Sequence, residues 1–141
     1  MSKHDDLIRR LYAAWNEGGP DAMARDFWHR DIVWRDDISA PDRAEHFGAG
    51  ATARYLNDVI ETIGSVQATV HGAEETTDGA LVDLTIHAQG QRSGASTDMR
   101  IHHLLKIEDD RVTDCQVFFD PEAAHAAARE RGAASAGGDA A

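Results

Sequence analysis

Between residues 5 and 17 the apolar side chains fall at Leu7, Ile8, Leu11, Tyr12 and Trp15, the three-and-four spacing of a single helical stripe. Gly18-Gly19-Pro20 stops that helix, and Pro20 suits the first turn of a short second one, which turns Met23, Phe27 and Trp28 inward. Asp31 to Asp36 reads as a short strand with Ile32, Trp34 and Asp36 on one side. Residues 37–47 carry Pro41 and no period, so they read as a loop. A third helix over 50–63 gathers Tyr55, Leu56, Val59, Ile60 and Ile63 on one face, and Gly64 closes it.

From Ser65 the period changes to two. Val66, Ala68 and Val70 alternate with Gln67, Thr69 and His71, and Asp78-Gly79 marks a tight hairpin. The strand over 80–91 turns Val82, Leu84 and Ile86 one way and Asp83, Thr85 and His87 the other. The strand over 95–107 sets Met99, Ile101, His103, Leu105 and Ile107 against Asp98, Arg100, His102, Leu104 and Lys106. Asp109-Asp110 turns into a last strand with Cys115, Val117 and Phe119 on its apolar side. Asp120-Pro121 then opens an Ala-rich helix expected to end near Gly132. The expected organisation is one domain over 1–132 and a disordered, low-complexity tail over 133–141. Helices followed by an antiparallel meander with one apolar face predict an α+β fold.

Composition narrows the partners. With 42% apolar residues in 141, the chain can close one core. Its 14 Lys and Arg against 25 Asp and Glu leave a formal charge of −11, which repels nucleic acid and anionic membrane surfaces. Cys115 is the single cysteine, so no internal disulfide forms, and a reducing, cytoplasmic location is expected. No apolar run approaches a membrane span, and the first residues lack the apolar segment of a secretory signal. The chain has no phosphate-binding glycine loop, dinucleotide fingerprint or Gly-x-Ser-x-Gly elbow, so no cofactor is expected. No metal site is expected either: the eight histidines lack a ligand-spaced helical pair, and His102 and His103 point to opposite faces of one strand.

Several segments carry a resemblance. They are Tyr12-Ala13-Ala14-Trp15-Asn16-Glu17-Gly18, Asp31-Ile32-Val33-Trp34, Gly48 with Tyr55-Leu56, Met99-Arg100-Ile101-His102-His103, and Arg111-Val112 with Phe119-Asp120. In that order the chain resembles the SnoaL-like and ketosteroid-isomerase-like branch of the nuclear transport factor two-like superfamily, over about residues 5–125. The resemblance implies a cone-shaped α+β barrel, with a curved antiparallel sheet wrapped around three N-terminal helices and a short C-terminal helix. It also implies a deep apolar pocket and a homodimer formed through the outer sheet face, where Phe118 is expected to lie exposed beside Asp83, Thr85, His87, Arg100, His102 and Gln116.

Asp36 matches the position that holds the proton-shuttling base in ketosteroid isomerases, whose separated carboxylates are a worked case of pKa tuning. Its plainer reading is a carboxylate at a loop entry, beside Asp37. His103 is the one polar residue on an apolar strand face, where those enzymes place the acid of the oxyanion hole. Its plainer reading is a core histidine bonded to a tyrosine or a carbonyl. Tyr12, Trp15, Trp34 and Tyr55 are core packing or pocket wall, with Met99, Cys115, Val117 and Phe119 completing the wall. The family pattern also predicts departures. The isomerases' carbonyl-polarising tyrosine matches Leu11, with Tyr12 on a different bearing. An aspartate that cyclases and epoxide hydrolases need on the last strand matches Val117. The hydrolases' inward Arg and Asp fall at Leu84 and Ile86.

Two functions fit. One is a cofactor-independent proton-transfer enzyme, of isomerase, cyclase or dehydratase type, acting on a small apolar carbonyl or polyketide-like compound. The other is a non-catalytic small-molecule-binding or dimerisation domain of the same fold.

Overall fold

A computed structural model describes residues 4–39, 44–90 and 94–140, with the side chains of the last helix described as far as Arg131. The first apolar stripe becomes helix α1 (Asp5–Phe27), which kinks at Gly19, where φ is 71° and ψ −161°. The kink separates the two helices expected from the sequence: only glycine reaches that conformation cheaply, and Pro20 then opens the second segment without losing a needed N–H. Strand β1 (Trp28–Arg35) follows directly, so Trp28 belongs to the strand rather than to the helix. Helix α2 (Ala49–Ile63) lies between Gly48 and Gly64, both at positive φ. At Gly64 a Cβ would stand 1.9 Å from the Gln89 carbonyl oxygen, so the link from α2 into the sheet demands glycine twice over.

The sheet corrects two expectations. Residues 45–47, read as part of a loop, form strand β2 (Glu45–Phe47), antiparallel to β1. Three residues at a sheet edge are too few to show a period. The remaining strands are β3 (Ser65–Thr76), β4 (Gly79–Gln89), β5 (Ser96–Glu108) and β6 (Arg111–Phe118), in the order β2-β1-β6-β5-β4-β3. The meander is antiparallel as read, but β1 runs parallel to β6. Alternation along one strand reveals its faces, whereas neighbour and direction depend on where the chain returns. The sheet is therefore mixed and open, not wholly antiparallel and not a closed barrel.

Both expected hairpins form, the first with its turn at Thr77-Asp78, one residue earlier than read. Thr76 pairs with Gly79 across a two-residue connection, and a Cβ at Gly79 would meet the Leu105 carbonyl oxygen at 1.9 Å. That glycine thus admits the neighbouring strand's backbone. Asp109 and Asp110 have φ of 52° and 62°, the double positive of a hairpin turn whose twist suits the strands.

Helices α1 and α2 pack on the sheet's inner face over Val82, Leu84, Ile101 and Leu105. Asn16 anchors α1 to the edge strand: its Nδ2 donates to the Ala68 carbonyl, and its Oδ1 accepts the Ala68 N–H, both at 2.8 Å. Trp15 Nε1 adds a bond to the Val66 carbonyl at 3.2 Å.

Helix α3 (Pro121–Ala140) lies on the opposite face, so the helices are not all on one side. Its Ala124, Ala127 and Ala128 cover Leu81, Leu104 and Phe118. Phe118 is consequently half-buried by the chain's own helix, and His102 is 5% exposed. Beyond α3 the outer face is polar and internally paired. Arg100 makes a two-pronged pair with Asp83 at 2.6 Å, and His87 contacts both Thr69 and Asp98. The backbone of α3 continues past Gly132, where the sequence reading ended it. Side chains beyond Arg131, and with them the expectation for the 133–141 tail, lie outside the described residues. Among the described residues no helix is long and apolar enough to cross a membrane.

Candidate active site

The space between α1, α2 and the inner sheet face is incompletely filled, leaving a cavity of about 200 Å³. Strand alternation turns Leu84, Ile86, Ile101 and Val117 into it from β4, β5 and β6. The helices contribute Trp15, Met23 and Leu56, and β1 contributes Trp34. Ile63, Met99 and Phe119 also line it while remaining 42%, 45% and 41% exposed, so they form its rim.

Among the described residues, four side chains with titratable groups line this cavity, in two pairs. The first is His103 with Tyr12. The Tyr12 hydroxyl lies 2.7 Å from His103 Nδ1, and the Trp34 ring stands edge-on to the imidazole at 5.3 Å. Burial pushes the Tyr12 phenol well above its ordinary pKa, with Cys115 adding to the effect, so the O–H keeps its proton. A buried phenolic proton needs an acceptor, and the acceptor is His103 Nδ1. The imidazole's own proton therefore sits on Nε2. Burial, with a smaller contribution from His102, lowers the His103 pKa to about 4, so the ring is neutral at pH 7. Its Nε2–H has no hydrogen-bond partner among the described residues and is free to meet a ligand.

The second pair is Asp36 with Tyr55. Asp36 follows β1 directly, with its side chain 11% exposed, and it borders both the cavity and a surface groove beside Ile38. Oδ1 accepts the Tyr55 hydroxyl at 3.0 Å and Oδ2 accepts the Ala44 N–H at 3.1 Å. His46 stacks on Tyr55 with ring centroids 3.8 Å apart, and its Nε2 lies 3.8 Å from Asp36 Oδ2. Burial, then the charge of Asp36, pushes the Tyr55 pKa up to about 12, so its hydroxyl remains a donor.

Asp36, His103, Tyr12, Trp15, Trp34, Tyr55, Met99, Val117 and Phe119 thus come together around one cavity. Cys115 does not, which corrects its place in the expected wall. It is fully buried in the core, and burial drives its thiol pKa well up, so it neither faces the cavity nor ionises readily. Sequence reasoning also missed His46, because β2 is too short to announce itself. Asp37 separates from Asp36 in role. It is 4% exposed and accepts the Phe119 N–H at 2.7 Å and the Ser39 N–H at 2.8 Å, together with the Ser39 hydroxyl. Burial raises its pKa, but these bonds outweigh that effect and hold it below the usual range.

Residues 8–115 match the model of the SnoaL-like domain. The chain belongs to that family. No curated protein matches the sequence. Among solved structures, a protein with a ketosteroid-isomerase-like fold from Catenulispora acidiphila, in complex with trimethylamine, aligns with TM-score 0.70 at 15% identity, over 88% of this chain and 92% of its own. TerC, co-crystallised with polyporic acid, aligns with TM-score 0.71 at 19% identity over 89% and 97%. A candidate SnoaL-like polyketide cyclase from Jannaschia sp. CCS1 aligns with TM-score 0.67 at 16% identity over 87% and 89%. These likenesses establish the nuclear transport factor two-like fold.

Within this SnoaL-like domain, Leu11 and Tyr12 on α1 take different places. Leu11 is buried in the core and does not line the cavity, whereas Tyr12 does. Leu84, Ile86 and Val117 do line the cavity, as apolar wall.

Proposed function

We propose that this SnoaL-like domain is a proton-transfer enzyme acting on a small apolar carbonyl compound, of isomerase, cyclase or dehydratase type. The observation that carries the reading is the shared cavity of Asp36 and His103 in otherwise apolar surroundings. Asp36, oriented by Tyr55 and the Ala44 N–H, takes a proton from the carbon next to the carbonyl. The C–H electron pair becomes the enolate double bond as the carbonyl electrons move onto oxygen. The His103 Nε2–H donates a hydrogen bond to that oxygen, acting as a neutral electrophile with Tyr12 fixing its tautomer. Asp36 then returns the proton to another carbon for isomerisation, or to a departing hydroxyl for dehydration. In cyclisation the enolate carbon attacks a second carbonyl, and the proton goes to the new alkoxide.

A second reading, a binding domain without catalysis, is favoured by one observation: both Asp36 carboxylate oxygens already accept hydrogen bonds. Deuterium exchange separates the two. Small ketones incubated with the protein in D₂O and followed by NMR should exchange their α-protons, and Asp36→Asn should slow this on the order of 100-fold or more. Exchange that is equal with and without the protein, across the set, would leave the binding reading in its place.

A further inference from the structure

We infer that the cavity selects a neutral ligand of a single ring, carrying one oxygen that accepts a hydrogen bond, and that it rejects carboxylates and polycyclic compounds. The inference deepens the proposed function and rests on it for the seat of the oxygen at His103; the limits on size and charge would hold for a pocket without catalysis as well.

Size is the first argument. An apolar cavity of about 150 Å³ accommodates benzene. The cavity here is about 200 Å³, room for one ring and a short substituent. Its side walls belong to packed elements: Leu84 is fully buried, and Trp34 is wedged against both Trp28 and His103. A second or third ring would have to project past Ile63, Met99 and Phe119 into water, adding apolar surface without burying it.

Charge is the second. Among the described residues no Lys or Arg lines the cavity. The titratable groups that the described residues place there are a carboxylate, two phenols and an imidazole without a charge at neutral pH, so a ligand carboxylate would leave water for a site with no cation among them and with Asp36 as a neighbour. Among the groups that the described residues offer instead are a free N–H donor on His103 and a carboxylate acceptor, with apolar walls between them. An aldehyde or ketone on a single ring meets both: its oxygen accepts from Nε2–H, and its adjacent carbon faces the apolar space beside Asp36.

Calorimetry on the full chain with a graded set of probes tests this. Acetophenone should bind, while benzoate and a four-ring enone steroid should each bind at least 10-fold more weakly. Ile86 is half-buried on the cavity wall, so Ile86→Ala enlarges the space with little risk to folding. In that variant the two-ring ketone α-tetralone should gain at least fivefold relative to acetophenone. Benzoate or the steroid binding as tightly as acetophenone would overturn the inference, as would failure of acetophenone to bind at millimolar concentration or the lack of a gain for α-tetralone. The two proposals fail separately. Exchange catalysed on a four-ring ketone would sink the size limit and leave proton transfer standing. One-ring ketones that bind without exchange would sink proton transfer and leave the size limit.

Discussion

Acid should destabilise this domain through His103 before it reaches the carboxylates. The unfolded chain holds this imidazole at the ordinary 6.5, whereas the folded chain holds it at about 4 because burial disfavours the charged ring. Above pH 6.5 both states are neutral and the contribution is fully present. As pH falls from 6.5 towards 4, the unfolded state takes up a proton that the folded state refuses, so stability falls with pH across that window. The proton affinities differ about 300-fold, which amounts to about 3 kcal/mol lost by pH 4, a large share of a typical domain's 5–15. Burial also lowers the pKa of His102 beneath α3, which works in the same direction. Asp37 and Asp83, held below their ordinary 3.8 in the folded state, contribute only at still lower pH. Urea titrations followed by tryptophan fluorescence at pH 7, 5.5 and 4.5 measure the loss. His103→Gln removes the titration while its carboxamide still accepts the Tyr12 hydroxyl. The variant should lose less stability than the parent between pH 7 and 4.5, with the difference approaching 3 kcal/mol as pH nears 4. Parallel losses in the two proteins would refute the burial argument.

Asn16→Ala removes both bonds that tie α1 to the backbone of Ala68 and should cost about 2 kcal/mol in the same urea assay at pH 7, whereas a loss below 0.5 would mean that water replaces the side chain. We also propose a two-fold dimer through the part of the outer sheet face that α3 leaves open, around Thr85, His87 and Arg100. Sedimentation at micromolar concentration should give twice the 15.4 kDa chain mass, and a clean monomer would remove the idea.

The faces of the long strands were legible from alternation because the sheet separates a buried side from an outer one. Val82, Leu84 and Ile101 thus lie inward, and Asp83, Arg100 and His102 outward, as their spacing requires. His103 stood out as a polar residue in an apolar register, and Asp36 as a carboxylate at a strand end. The adjacent Asp36 and Asp37 were harder to separate. Only the arrival of Tyr55 from α2 and of the Phe119 N–H from the end of β6 gives them different tasks.

What the sequence alone determined is local: helices from three-and-four spacing, strands from alternation, the hairpins beside Asp78 and at Asp109-Asp110, and the kink at Gly19. Each depends on a residue's conformational range and on which side of its own element it occupies, both set within a few positions. Tertiary structure decided the rest. It paired β1 with β6 in parallel, laid α3 over Leu81 and Leu104, sealed Cys115 away from the cavity and turned Tyr12 onto His103 Nδ1. These are contacts between segments far apart in the chain. No local period encodes them, because they depend on how packed surfaces meet and on which buried polar atoms must find partners.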